Sequence, residues 1–394
     1  MKHFLEQCLY SVQKAVEGID AEIVILDNCS SDGSIDYLQP QFPEVIFVEN
    51  DTNQGFAKAC NIGLKKASGE YILFLNPDTI IAEDSLITCI RFFESNKNCG
   101  AIGVKMIDGS GRFLKESKRS FPSPFTSLYK LLGLASLFPE SKTFARYHLG
   151  HLNENEDHEV DVLAGAFMMV RKDVLSETGS FDEAFFMYGE DIDLSYRIQK
   201  AGYKNYYLAQ TSIIHFKGES THRDSLKYVK LFYQAMSIFV NKHYKGDKAF
   251  IFSLTIKFGI WLRAFMAAIA NTLRVISKLI SKKDRRGAAE RSRLFFVAQK
   301  EEWEGVELFL ACGLPFNLVG RTDSFTGLDQ QLKDTRAEHL LLVAGGITYK
   351  DIIHQTKHHL GTLKYFHAYK SRSIVCSDDS TTKGQSYTYP YKIG

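Results

Sequence analysis

Residues 71–78 read Tyr-Ile-Leu-Phe-Leu-Asn-Pro-Asp, an apolar, strand-type run that ends in Asn76 and Asp78. Further short apolar runs occur in the first part of the chain, at 22–26, 45–48 and 101–104. Stretches with helical periodicity lie between these runs, at 55–67 and 84–95. Strands that alternate with helices predict an α/β fold with a mainly parallel sheet and helices on both faces. Ligands of such sheets bind beyond the carboxyl ends of the strands, which is where Asn76 and Asp78 are placed.

The composition narrows the class of protein. The chain has 394 residues, with 48 Lys and Arg against 46 Asp and Glu, so its formal net charge is +2. Hydrophobic residues make up 45%, which is typical of a folded chain and excludes wholesale disorder. A nearly neutral chain argues against a dedicated nucleic-acid-binding protein. The seven cysteines are odd in number and contain no CxxC pair, so we expect buried thiols in a reducing, cytoplasmic compartment.

The patterning predicts three parts: an α/β domain at 1–245, an amphipathic basic helix at 246–290 and a small Rossmann-like α/β domain at 291–394. Within the first part, residues 116–159 break the pattern with prolines and a polar, acidic stretch. We expect them to form a long excursion over the sheet, as a lid or as an element on the side of an acceptor substrate. The last domain has no GxGxxG and no P-loop. Its Ser377–Ser380 segment is a ligand loop or, more commonly, a surface turn.

The middle part has features of a membrane-surface helix. Charged residues interrupt its apolar run, so a simple membrane span is not expected. On a helical projection of 249–283, the polar side chains fall within about one third of the circumference: Lys257, Arg263, Asn271, Arg274, Lys278 and Lys282. A basic cluster follows directly. This pattern favours a helix lying on an anionic cytoplasmic membrane surface, peripheral to the inner membrane, over a helix packed on its own protein with a solvated basic stripe.

Two motifs follow the first strands. Asp27, Asn28 and Ser30 come at the end of an apolar run, where they can bind a base edge and a ribose or simply begin a helix. The second motif begins a helix, where backbone amides and a lysine can meet phosphate. A plain capped helix explains it equally well. Its candidate binding residues are Asn53, Gly55, Lys58 and Asn61.

Three further motifs carry acids and a histidine. Asp78 at a strand end suits a divalent cation whose other ligands come from a diphosphate, and His215 ends another apolar run and can complete that metal site. A solvated turn and a core histidine are the structural alternatives. Glu190 and Asp191 have no local ion-pair partner, so one of them is a candidate general base. Asp193 and Arg197, four residues apart, predict an intrahelical pair.

Along the chain the motifs are DNxSxDGS, NxGFAxAxN, strand-NPD, GxF-GED-D-R and HxxGxS. In this order they resemble the motifs of the inverting family-two glycosyltransferases of the GT-A fold, especially bacterial rhamnosyltransferase-like members. The resemblance covers about residues 1–245. It implies a nucleotide-sugar donor, a divalent cation (Mg2+ or Mn2+) and a single displacement. dTDP-rhamnose is one candidate donor, and a polysaccharide or lipid-linked glycan is the candidate acceptor.

The resemblance also assigns roles to matching positions. Asp27 matches the base-binding aspartate, and Asp78 matches the metal-facing aspartate in the relaxed form Asn76-Pro77-Asp78. Asp191 matches the catalytic base, with Glu190 beside it. His215 matches the histidine that meets the metal or the diphosphate. Gly165 matches a backbone site near the donor sugar.

Two other functions are alternatives to sugar transfer. A catalytically silent scaffold would use the basic helix and the last domain to organise other enzymes. A nucleotidyltransferase on a related sheet is disfavoured, because no glycine-rich, lysine-bearing N-terminal loop is present.

The resemblance finally predicts a missing strand. Members of the family begin with an apolar strand of the type VSIIIVxYN, followed directly by a helix like His3–Val16, where this chain starts. We therefore expect in-frame coding sequence upstream for about ten strand-type residues ending near Tyr-Asn. We expect the 394-residue form to fold poorly or to bind donor weakly, as an N-terminally truncated, impaired form.

Overall fold

The computed structural model describes residues 1–123, 125–126, 129, 134–216, 226–244, 292–311, 314–358, 363–370, 373–376 and 384–388. The expected membrane-surface helix and the Ser377–Ser380 loop lie outside these residues. Among the helices that are described, none combines the length and the apolar character needed to cross a bilayer.

The first part of the chain contains a two-stranded parallel sheet and a larger six-stranded sheet. The two-stranded sheet consists of β1 (Val24–Asp27) and β2 (Ile46–Glu49). The larger sheet contains β3 (Tyr71–Leu75), β4 (Thr79–Ile81), β5 (Cys99–Ile107), β6 (His158–Val160), β7 (Phe167–Arg171) and β8 (Lys204–His215). The helices are α1 (Lys2–Ala15), α2 (Ser34–Leu38), α3 (Phe56–Leu64), α4 (Ser85–Ser95), α5 (Leu134–Leu137), α6 (Lys172–Thr178), α7 (Glu190–Lys200) and α8 (Leu226–His243).

The larger sheet has the order β3-β7-β5-β8-β4, and β6 pairs with β8. β5 and β8 are parallel, whereas β7 runs antiparallel to both β3 and β5. The expected α/β class is confirmed, and β3 has the predicted bounds. β1 begins two residues later than predicted, because the Glu22 carboxylate accepts hydrogen bonds from the backbone of Ser68 and Gly69 instead of entering the strand.

A strand-shaped space separates β1 from β3. Among the described strands, β1 pairs only with β2, and β3 pairs only with β7. Helix α1 covers one side of the space with side chains such as Leu9 and Val12, and α3 covers the other side with Ala59 and Leu64. We call this space the slot. The expectation of a missing first strand stays a prediction.

The last part of the chain forms a second six-stranded sheet, in the order β10-β9-β11-β12-β13-β14. Its strands are β9 (Ser292–Val297), β10 (Phe316–Thr322), β11 (His339–Ala344), β12 (Lys364–Tyr369), β13 (Ser373–Cys376) and β14 (Gln385–Thr388). Its helices are α9 (Trp303–Ala311), α10 (Leu328–Thr335) and α11 (Tyr349–His358). The first four strands along the order are parallel, and β13 and β14 are antiparallel to their neighbours.

This second sheet packs directly on α1 and β4. The Gln7 amide donates to the carbonyl oxygen of Ser373 at 3.1 Å, and the Ser373 hydroxyl donates to the buried Glu6 carboxylate at 2.5 Å. Tyr10 stacks on Tyr369 with ring centroids 3.9 Å apart. The apolar residues of both parts therefore form one continuous core.

Candidate active site

The strand ends of the larger sheet and of β1 open into a single cavity of about 1840 Å3, which continues into the slot. Most of the predicted site residues line it: Asp27, Asn28, Ser30, Asn53, Asn76, Asp78, Gly165, Glu190, Asp191 and His215. Residues from six separate segments of the chain therefore face one space. That convergence is what a site for a large polar ligand requires.

Asn28 organises the end of the cavity next to β1. Its amide nitrogen donates to Asn53 Oδ1 at 2.9 Å, and its amide oxygen accepts from the backbone N–H of Gln54 at 2.9 Å. Asp27 accepts the backbone N–H of Ser30 at 2.9 Å, which folds the turn after the strand. Asp27 itself is half-buried, so its carboxylate edge stays accessible from the cavity.

The second motif is placed differently from the prediction. Gly55 has a φ of 82°, and a Cβ there would lie 2.6 Å from the carbonyl oxygen of Phe186, so only glycine allows this close approach. Lys58 is exposed and does not line the cavity. Asn61 is buried and donates to the carbonyl oxygen of Phe181 at 2.8 Å, so the structure gives it a bracing contact and does not bring it to the cavity.

Asp78 and His215 lie side by side on adjacent strands, because β4 pairs with the end of β8. Both side chains are buried, and Asp78 Oδ1 is 3.4 Å from His215 Nε2. Asp78 Oδ1 and His215 Nδ1 have no hydrogen-bond partner in the described part of the chain. Buried, unsatisfied oxygen and nitrogen atoms facing a cavity fit a divalent cation whose remaining ligands come from a substrate. No cluster of three or more His, Cys, Asp or Glu side chains occurs among the described residues.

Asp191 is held at the wall of the cavity by three donors. Its Oδ2 accepts from Arg119 Nη2 at 2.6 Å and from the backbone N–H of Gly165 at 3.2 Å. Its Oδ1 accepts the N–H of Ile192 at 2.8 Å. Gly165 thus contacts the site through its backbone, and a Cβ there would lie nearest to the side chains of Asp191 and Glu190.

Glu190 lies beside Asp191 but has a different environment. It is buried, and its Oε2 has no hydrogen-bond partner among the described residues. Burial, together with the negative charge of Asp191, raises the pKa of Glu190 to about 8. At neutral pH Glu190 is therefore mostly protonated. Arg119 pairs with the neighbouring Asp191.

The helix that carries both carboxylates is anchored at its far side. Asp193 pairs with Arg197 at 2.8 Å, which confirms the predicted intrahelical pair. Arg197 also donates to the carbonyl oxygens of Thr178 and Ser180. His243 from α8 bonds Asp193 at 2.6 Å. These contacts fix the start of α7 and hence the position of Glu190 and Asp191.

Sequence reasoning missed Arg119 as a site residue. It lies in the run KESKRSF, which has no helical or strand pattern, and its partner Asp191 follows 72 residues later. The prediction that 116–159 forms an excursion was the available signal. This segment contributes Arg119, Tyr147 and His148 to the cavity wall.

The chain is similar in sequence to known proteins. Residues 2–179 match the family model described as Glycosyl transferase family 2. The N-acetylglucosaminyl-diphospho-decaprenol L-rhamnosyltransferase of Mycobacterium tuberculosis is 27% identical over 254 residues, which cover 61% of this chain and 81% of that protein. The rhamnosyltransferase WbbL of Escherichia coli K12 is 31% identical over 166 residues, or 42% of this chain and 57% of that protein.

Among solved structures, the mannosyltransferase PcManGT from Pyrobaculum calidifontis, in complex with GDP-Man and Mn2+, is similar over 72% of this chain and 78% of that chain, with 17% identity and a TM-score of 0.43. The sequence comparisons define the chain as a sugar-transferring enzyme. Residues 2–179 form a glycosyltransferase family 2 domain.

Proposed function

We propose that the protein transfers a rhamnosyl or hexosyl group, with inversion, from a nucleotide-diphosphate sugar to a glycan or lipid-linked acceptor. The observation that carries this proposal is the shared cavity. It is lined at one end by Asp27, near its middle by Asp78 and His215, and at the other end by Asp191. dTDP-rhamnose is the first donor to test, because two similar proteins are rhamnosyltransferases.

The residues along the cavity have different roles. Asp27 and the Asn28 turn receive the nucleotide base and ribose, and Asn76 with Asp78 faces the diphosphate. Asp191 accepts the proton of the acceptor hydroxyl while that oxygen bonds to the anomeric carbon. The bond from the anomeric carbon to the diphosphate oxygen breaks, and its electron pair leaves with the nucleoside diphosphate. Attack opposite the leaving group inverts the anomeric centre.

Asp78 and His215 would hold the divalent cation, Mg2+ or Mn2+. A bound cation stabilises the negative charge that develops on the leaving diphosphate. We expect EDTA to abolish transfer and added Mn2+ or Mg2+ to restore it. Full transfer in the presence of the chelator would overturn this assignment.

A panel of nucleotide sugars, including dTDP-rhamnose, UDP-GlcNAc and GDP-mannose, tests the function directly through released nucleoside diphosphate. With the donor so identified, Asp191→Asn should keep donor binding but lower turnover by at least about 100-fold, the usual scale for loss of a general base. The matched control is Asp173→Asn, a surface acid paired with Arg171, which should turn over normally. Normal turnover by Asp191→Asn would move the base to Glu190 or remove it.

The acceptor and the location are part of the proposal. One similar protein acts on an N-acetylglucosaminyl-diphospho-decaprenol, so a prenyl-diphosphate-linked sugar is the acceptor that we would test first. Such a substrate lies in a membrane, and we propose that residues 246–290 hold the enzyme on the cytoplasmic membrane surface. In this scheme, the small domain at 291–394 supports the catalytic domain.

The slot favours a second candidate, a weakly active form of the same enzyme. The slot opens beside Asp27 and Asn28, so the end of the cavity that would bind the base lacks a wall between β1 and β3. Donor titration of the 394-residue chain separates the two candidates. Donor binding that saturates at micromolar concentrations supports the active enzyme. Donor binding that does not saturate supports the impaired form.

A further inference from the structure

Arg119 connects the irregular segment 116–159 with the proposed catalytic carboxylate. Its backbone pairs with Val162 through two hydrogen bonds, of 3.2 and 2.9 Å. Its guanidinium Nη2 donates to Asp191 Oδ2 and to the carbonyl oxygen of Leu163, both at 2.6 Å. The two charged side chains are only 11% and 14% exposed. A buried arginine in such a fixed position is expensive to desolvate, so its contact with Asp191 is its main compensation.

The charge on Arg119 is secure. Burial alone opposes the charged guanidinium, but Asp191 and Tyr147 outweigh that effect and raise the pKa of Arg119 above its ordinary value. Arg119 interacts with both carboxylates and with Tyr147, and Cys60 of α3 interacts with Glu190. Of these described groups, none besides Arg119 is a cation.

The hydrogen bonds distinguish the two oxygens of Asp191. A carboxylate oxygen has two lone pairs that accept hydrogen bonds. Oδ2 already accepts two, from Arg119 and Gly165, whereas Oδ1 accepts one, from Ile192. As far as the described residues show, one acceptor position therefore remains, and it lies on Oδ1.

We propose that Arg119 is a positioning residue for sugar transfer: it occupies Oδ2 of Asp191, keeps that carboxylate ionised beside Glu190, and leaves Oδ1 to accept the proton of the acceptor hydroxyl. This inference rests on the proposed function. It adds to that function the residue that decides which of two adjacent carboxylates carries the charge. A purely structural role, tying segment 116–159 to the sheet, is the alternative.

The test is the pH dependence of turnover in Arg119→Met, Arg119→Gln and Arg119→Lys. Without the positive charge, an ionised Asp191 beside Glu190 is less favourable. The acid limb of the profile of the Met and Gln variants should therefore move to higher pH by about one unit or more, and turnover near neutral pH should fall by about 10-fold or more. The Lys variant should keep the limb near its wild-type position. The KM for donor should change little, because Arg119 contacts no residue at the nucleotide end.

Arg171→Met is the matched control, because it removes another partly buried arginine that is paired with an aspartate, but one that does not line the cavity. It should leave the acid limb in place. An acid limb that stays in place in both neutral Arg119 variants, or that moves equally in Arg171→Met, would refute the positioning role.

A second readout does not need turnover. In protein labelled with carboxyl-13C aspartate, the resonance of Asp191 can be assigned from its loss in Asp191→Asn. Its titration midpoint should be higher in Arg119→Gln than in the wild type, and equal midpoints would reject the inference. If the wild type transfers no sugar from any donor of the panel, the proposed function fails, whereas this titration still decides the Arg119–Asp191 coupling.

Discussion

An apolar strand added before Met1 should fill the slot and stabilise the catalytic domain. The amino group of Met1 lies 3.4 Å from Asp32, beyond the carboxyl end of β1, and Met1 lines the cavity. A strand that leads into Met1 from the slot would therefore run parallel to β1. Both faces of the slot are covered by helices, so the added strand needs apolar side chains on both faces. We would extend the chain by about ten residues with an Ile- and Val-rich centre and a polar end.

The expected gain follows from the dimensions of the slot. Its two edges are strands of four and five residues, β1 and β3. Roughly five new ladder hydrogen bonds contribute about 5 kcal/mol. Burial of about four apolar side chains contributes about 8 kcal/mol. Ordering five residues costs about 9 kcal/mol. The net gain of about 4 kcal/mol corresponds to a rise of about 10 °C in the melting temperature.

The assay compares three proteins by thermal unfolding and by titration with the nucleotide sugar. These are the 394-residue chain, the extended chain, and an extended chain of equal length with proline at the centre of the strand. Proline cannot donate to the ladder, so the third protein should behave like the first. Donor affinity should rise together with the melting temperature, because the strand would end beside Asp27 and Asn28. Equal melting temperatures and equal affinities in all three proteins would refute the reasoning.

The remaining predictions concern titration and the membrane. Because the pKa of Glu190 is raised to about 8 from 4.5, the folded chain keeps a proton that the unfolded chain releases. The free energy of unfolding should therefore fall as the pH rises from 4.5 to about 8. In urea denaturation, Glu190→Gln should reduce the slope of this fall by about 1.4 kcal/mol per pH unit, and identical slopes in both proteins would contradict the assignment. Burial lowers the pKa of His367 to about 3 from 6.5, so stability should be lost as the pH falls below 6.5. Between neutral pH and about pH 5, the free energy of unfolding of the wild type should fall by about 2 kcal/mol more than that of His367→Phe. An equal fall in both proteins would contradict this prediction. Deletion of 249–286 should release the protein from the membrane fraction, whereas high salt should do so only in part; a wild type that binds no anionic vesicle would reject the membrane helix.

Local patterns were sufficient to find the strand-end residues. Asn76 and Asp78 follow an apolar run whose bounds the structure reproduces, so their place at the edge of the sheet follows from the strand alone. Asp193 and Arg197 were predictable for a similar reason, since helical spacing brings them together. In each case the partner or the element lies within a few residues.

Contacts between distant segments were not predictable in this way. Asn61 carries an amide that can bind a phosphate, but the fold turns it toward the carbonyl oxygen of Phe181, 120 residues away. Arg119 has its partner in another segment and no helical or strand period to place it. Strand β12 mixes polar and aromatic residues around His367, yet Tyr365, Phe366 and His367 are all buried. The neighbouring strands β11 and β13 flank this strand and α1 contacts it, and no local pattern reveals such neighbours.

The contacts of the second sheet give the last part of the chain a physical role in the site. Phe216 follows His215 directly, and its ring lies 5.2 Å from Phe4 and 5.5 Å from His367. Its backbone N–H donates to the carbonyl oxygen of Asp78 at 2.9 Å. The residue that joins the two proposed metal ligands through the backbone is thus clamped between α1 and β12. We therefore expect the second sheet to restrict the movement of Asp78 and His215 relative to each other, although none of its described residues lines the cavity.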